Sequence, residues 1–160
     1  MGRARKVSGL ISACMNSGRP SFSTEKPRKA KGTIAQGHSY EKHFGQLLQK
    51  GAQKSGHILQ LNPWIRFEDK NGWGWAQPDA LLFSKKALYI FECKRTESTT
   101  GWVQLYSLYS PLLEHLYPEW PQVRVQVCKN LRLNGTMPGA PIVTSLKEIS
   151  DGCILNWRNL

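Results

Sequence analysis

Metal-binding cysteine spacing is missing from this chain. Its four cysteines, Cys14, Cys93, Cys128 and Cys153, form no CxxC pair, which excludes a zinc ribbon and a thioredoxin-type redox motif. His38, His43, His57 and His115 also lack zinc-ligand spacing. The cysteines read as reduced packing residues, so an intracellular, cytoplasmic protein is expected. No apolar run approaches the roughly 20 residues of a membrane-spanning helix. The stretch from Val7 to Met15 is too polar for a secretory signal. There is no glycine-rich P-loop, and with it no nucleotide-hydrolysing motif. Acidic residues are scarce: 11 Asp and Glu stand against 22 Lys and Arg, a formal charge of +11. Such an excess favours a polyanionic partner. An anionic membrane would call for a basic amphipathic helix, and none is evident, so nucleic acid is the expected partner.

At 160 residues, with six Trp, five Tyr and five Phe, the chain can bury a real core without a disulfide. Residues 1–36 are rich in Gly, Ser and Pro and carry eight Lys or Arg against the single Glu25. They read as a basic, flexible arm, with Lys29 and Lys31 among its candidate phosphate contacts, ahead of a folded domain over 37–160. A purely solubilising tail fits the arm equally well.

Charged residues interrupt apolar runs at one place. Pro78 and Asp79 precede Ala80-Leu81-Leu82-Phe83, and Leu88-Tyr89-Ile90-Phe91 precedes Glu92, Cys93 and Lys94. The polar connection from Ser84 to Ala87 suits a hairpin. Pairing Phe83 with Leu88 places Leu81 opposite Ile90 and Asp79 opposite Glu92, because facing residues in an antiparallel pair have a constant sum. Facing Cβ atoms lie about 4.5–5.5 Å apart. Side chains alternate, so Lys94 shares the face of Glu92 and Cys93 points away. Two carboxylates this close on an apolar sheet repel unless a cation relieves them. Hard oxygen ligands in small number suit Mg²⁺, with Mn²⁺ as substitute. A structural salt bridge through Lys94 is the competing reading; Pro78 and the flanking apolar runs favour a site.

These residues resemble the PD-(D/E)XK nuclease superfamily, whose signature matches Pro78-Asp79 and Glu92-Cys93-Lys94. The resemblance covers roughly residues 38–128 and implies an α/β fold, restriction-endonuclease-like, with an α-β-β-β-α-β core and a mixed central sheet flanked by helices. It also implies Mg²⁺-dependent hydrolysis of nucleic-acid phosphodiesters, with Asp79 and Glu92 as metal ligands and Lys94 positioning water. Glu41 matches the acidic residue many members carry on the first helix, and the Cys93 carbonyl matches a further ligand. Size and charge are similar to phage-encoded endonucleases and archaeal-type Holliday-junction resolvases, so branched DNA, a homodimer and, for a viral chain, a host cytoplasm are expected. Non-cleaving binding or packaging proteins and RecB-like exonucleases are the alternatives. The QxxxY spacing of the RecB-like branch is not met, because Tyr106 and Tyr109 both miss that step from Gln104.

Around this motif, a helix is expected from Ser39 with a stop at Gly51, its stripe formed by Tyr40, Phe44, Leu47 and Leu48. The first core strand is expected at 64–68. Trp73-Gly74-Trp75-Ala76-Gln77 reads as a flexible segment whose indoles and Gln77 contact unpaired bases near the metal, while Glu68 and Asp69 read as solvent-exposed. Arg95 and Gln104 extend the candidate nucleic-acid contacts. Capping residues at 96–100 open a second helix that Pro111 should kink, and Val123 to Cys128 forms a strand parallel to that of Glu92. An edge strand is expected around Cys153 to Trp157.

Overall fold

Residues 5–18, 20, 33–94, 98–128 and 154–156 are described by the computed structural model of the chain. In chain order the elements are β1 (Leu10–Asn16), α1 (Thr33–Ser55), β2 (Ile58–Leu61), β3 (Trp64–Asp69), β4 (Gly72–Ala76), β5 (Ala80–Phe83) and β6 (Leu88–Lys94). There follow α2 (Thr99–Gln104), a π-helical turn (Leu105–Tyr109), α3 (Ser110–Leu116), β7 (Gln122–Cys128) and β8 (Ile154–Asn156).

Two sheets form the α/β fold. The larger has five strands in the order β2-β5-β6-β7-β8. Its β2, β5 and β6 pair antiparallel, whereas β6-β7 and β7-β8 are parallel. Within this sheet the sequence α1, β2, β5, β6, helix, β7 runs α-β-β-β-α-β. The smaller sheet is antiparallel, β1-β3-β4. The α2-to-α3 crossover joins the parallel strands β6 and β7, as such a connection must.

Alternation along the strands gives the large sheet two apolar faces. Leu82, Phe91, Cys93 and Val125 turn toward α1, which lays Tyr40, Phe44, Leu48 and Ala52 on them. These helical positions recur every four residues, the step that keeps side chains on one stripe. Phe44 meets Phe91 edge to face at 5.5 Å. On the opposite face Leu81, Leu88 and Ile90 pack with Leu105, Leu112 and Leu113, and the small sheet joins them through Ile65, Phe67 and Ala76. Ser84 closes the β5-β6 hairpin by accepting from the Lys86 and Ala87 amides and donating to the Ala87 carbonyl.

Several sequence expectations change here. The helix is longer than 39–51, since Gly51 lies inside α1 and the chain leaves it at Gly56, which has a φ of +68°. The strand at 64–69 belongs to the small sheet, and β2 instead pairs with β5. Residues 73–76 form a regular strand, not a flexible segment, and Gly74 is there because a Cβ would come within 2.6 Å of the Phe67 ring.

Part of the presumed basic arm is packed structure. β1 pairs with β3, and Leu10, Ala13 and Met15 rest against the core. Arg5 anchors its start by donating to Asp69 Oδ1 at 2.6 Å and to the Trp73 and Gly72 carbonyls. Asp69 is therefore buried, contrary to the expectation of exposure. Burial works against its ionisation, but the Ser8 and Asn71 amides and Arg5 outweigh this and hold the carboxyl below its usual range. Cys14 is exposed and so is not a packing residue, whereas Cys93 is buried. Lys29, Lys31, Arg95 and the loop at 129–140 lie outside the described residues.

Candidate active site at the ends of β5 and β6

The hairpin has the expected register: Phe83 pairs with Leu88, Leu81 with Ile90 and Ala80 with Phe91. Asp79 stands one residue beyond the ladder, following the buried Pro78. Without an N–H, Pro78 cannot extend the ladder, and the chain turns away there. The Asp79 carbonyl accepts from the Asn62 amide at 2.9 Å. Its carboxylate Oδ2 accepts from the Cys93 amide at 2.5 Å. Asp79 is thus tied to β6 beside Glu92.

Glu92 is buried at 4% exposure, and one of its oxygens, Oε1, accepts from Lys94 Nζ. The other, Oε2, has no hydrogen-bond partner in the protein. An orphaned carboxylate oxygen in a protein interior is costly, and it marks a place where a further group belongs. Burial raises the Asp79 carboxyl to about 8, with repulsion from Glu92 and Glu41 adding to the effect and the Cys93 amide and Lys94 opposing it. Burial likewise raises Glu92, against the attraction of Lys94. Each acid makes the other harder to ionise.

Glu41 approaches from α1. It is close enough to push both carboxyls upward, and it lines a cleft of about 590 Å³ together with His38, Lys42, Asn62, Gln77 and Asp79. His38 Nδ1 lies 3.6 Å from Glu41 Oε2. The cleft opens between α1 and the segment after β2, giving the buried acids a route to solvent.

A participant the sequence concealed comes from the π-helical turn. The Ser110 amide donates five residues back, to the Leu105 carbonyl, and Pro111 follows with no amide to offer. The extra residue swings Tyr109 inward, so that Gln104 Nε2 donates to the Tyr109 hydroxyl at 3.2 Å. Gln104 and Tyr109, which miss the expected spacing in sequence, meet in space. The Tyr109 hydroxyl is near enough to Glu92 for each to shift the other, yet it donates to the Gln77 carbonyl at 3.1 Å and leaves Glu92 Oε2 unpartnered. Burial, then the charges of Glu92 and Asp79, raise its pKa above the ordinary value. The detectable signal was a five-residue Gln-to-Tyr step just before a proline.

Gln126 supports the same corner from β7, where it is in register with Glu92. Its side chain accepts from the Ser98 amide at 2.7 Å and donates to the Ser98 carbonyl at 2.9 Å. Ser98 in turn caps α2 by accepting from the Gly101 amide. This clamp fixes the start of the crossover helix next to Lys94.

The donors suit a hard divalent cation. Two adjacent carboxylates with one free oxygen, and Glu41 across the cleft, offer the few protein ligands that Mg²⁺ accepts alongside water and phosphate. Among the described residues no three His, Cys, Asp or Glu side chains already form a closed cage. At Cys93 the group engaged with the acids is the amide. Trp73 and Trp75 do not border the cleft, whereas Gln77 does.

No family model and no curated protein matches the chain. Among solved structures, the crystal structure of protein VC1899 from Vibrio cholerae is similar over 59% of this chain and 25% of its own length, at 21% identity and a TM-score of 0.46. This chain spans about a quarter of that protein, and a similarity at this level carries no functional argument.

Proposed function

We propose that the chain is a Mg²⁺-dependent DNA endonuclease that hydrolyses phosphodiester bonds, with Asp79, Glu92 and Lys94 as its catalytic residues and Glu41 as an outer ligand. The observation that carries this reading is the buried, mutually repelling carboxylate pair with an orphaned Glu92 oxygen beside an ammonium. Asp79 and Glu92 would hold the cation, which when bound polarises the phosphate and stabilises its developing charge. Lys94, held by Glu92, orients the attacking water and offers its positive charge to the transition state. The Cys93 amide keeps the Asp79 carboxylate turned toward its partner. His38 and Lys42 at the cleft supply basic groups for the DNA backbone.

Branched DNA and a homodimer with two such centres are the finer parts of this proposal, since cutting both strands of a junction calls for two sites. Cytoplasmic action accords with it; among the described residues no helix is long and apolar enough to cross a membrane. The contact between Gln104 and Tyr109 favours a second reading, a RecB-like exonuclease.

Incubating linear, circular, flapped and four-way DNA with Mg²⁺ or EDTA tests both. Cutting of circular DNA that needs Mg²⁺ and vanishes in Asp79→Asn and Glu92→Gln is the expected result. Degradation confined to free ends supports the exonuclease. Cutting that persists in EDTA excludes both.

A further inference from the structure

The small sheet has an outer face that the site above does not use. Burying Ile65, Phe67 and Ala76 against the core obliges their strand neighbours to point the other way. Trp64, Arg66 and Glu68 on β3, with Trp73 and Trp75 on β4, therefore share the outward face. Arg66 is in register with Trp75 and with Cys14, and Glu68 with Trp73. Trp64 and Trp75 meet edge to face with ring centres 6.2 Å apart. The Arg66 guanidinium sits 4.2 Å over the Trp73 ring, and that indole remains 55% exposed.

We propose that this face is a stacking platform for the unpaired bases of single-stranded DNA. The proposal rests on the nuclease reading and specifies its substrate: a strand that is open next to the point of cutting. Three indoles interleaved with an arginine give flat π surfaces and a cation together, the combination that grips bases and backbone without reading sequence. Charge complementarity points to a polyanion, because the chain carries a formal +11 and the platform bears Arg66 at its centre. Glu68 is the one carboxylate on this face of β3 and β4, and it lies toward the Trp73 end. Duplex DNA is a poor occupant, since its bases are already stacked inside the helix. The platform also leads to the cleft. Trp64 and Trp75 lie two residues from Asn62 and Gln77 respectively, both of which line it. From Trp75 to Asp79 an extended chain covers about 13 Å, at ~3.3 Å per residue.

The test is fluorescence anisotropy with labelled oligo(dT) and with a duplex of equal length, in EDTA, using the full chain carrying Asp79→Asn so that no strand is cut. Oligo(dT) should bind more tightly than duplex. Trp73→Ala and Trp75→Ala should each weaken oligo(dT) binding by about tenfold or more while changing duplex binding little. Trp75→Phe should recover most of the loss. Circular dichroism confirms folding, and the exposed Trp73 serves as the test position should Trp75→Ala unfold. Equal weakening of both probes, or unchanged oligo(dT) binding, overturns the platform. Cleavage by the wild-type chain is scored separately, so an inactive protein that still prefers oligo(dT) counts against the nuclease and for the platform.

Discussion

Asp79 illustrates how much a single buried acid can reveal. Its carboxyl is raised to about 8, against 3.8 in water. An acid with a raised folded-state pKa binds more protons folded than unfolded between those values, so metal-free stability should fall as pH rises from about 4 to about 8. Asp79→Asn removes the titration and should raise the metal-free melting temperature at pH 8, by about 2–4 °C per kcal/mol of repulsion relieved. Differential scanning fluorimetry across pH checks this; a variant less stable than wild type at pH 8 contradicts it. Tyr109 is the second informative residue. Tyr109→Phe deletes the hydroxyl that joins Gln104 to the Gln77 carbonyl, costing about 1 kcal/mol by the usual worth of a hydrogen bond. Cleavage should fall by more than that stability loss explains, because Gln77 lines the cleft beside Asp79. Single-turnover rates compared with urea midpoints separate the two effects.

Among the elements, β1 makes the clearest prediction. Arg5→Ala would leave Asp69 buried without its guanidinium, and should cost about 1–3 kcal/mol in urea unfolding. Removing residues 1–16 should therefore destabilise the domain, not merely weaken DNA binding; a truncated chain with an unchanged urea midpoint contradicts the packed β1. The sequence concealed this strand because Gly, Ser and basic residues around Leu10 to Met15 mask its alternation, and its partner β3 lies 48 residues beyond Asn16 in the chain. The β5-β6 hairpin was legible for the opposite reason. Its strands are strongly apolar and its connection short, so register followed from local arithmetic and brought Asp79, Glu92 and Lys94 together. Helix α1 was legible as a stripe but not in length, since a glycine inside a helix costs too little to stop it. The π-helical turn could not be read from periodicity, because a single extra residue is absorbed without breaking the apolar pattern of the flanking turns.

At the scale of the whole molecule, α1 and the α2-to-α3 crossover enclose opposite faces of one sheet, and the acids sit where β5 ends and the cleft begins. The formal charge of +11 acts over all of this surface. Binding should weaken linearly in log salt, with a slope of about −0.7 per phosphate neutralised on single strands and about −0.9 on duplex. Anisotropy titrations between low and physiological salt measure that slope; a flat response contradicts a backbone-led interaction. Beneath these expectations lies one claim, that Asp79 and Glu92 share a divalent cation. Electron paramagnetic resonance of Mn²⁺ titrated into the protein tests it most directly, because free and bound ions give separable signals. The account predicts binding by the wild-type chain that Mg²⁺ competes away and that Asp79→Asn and Glu92→Gln each abolish. Mn²⁺ that stays free in the presence of the wild-type protein, or binds all three chains alike, would contradict it.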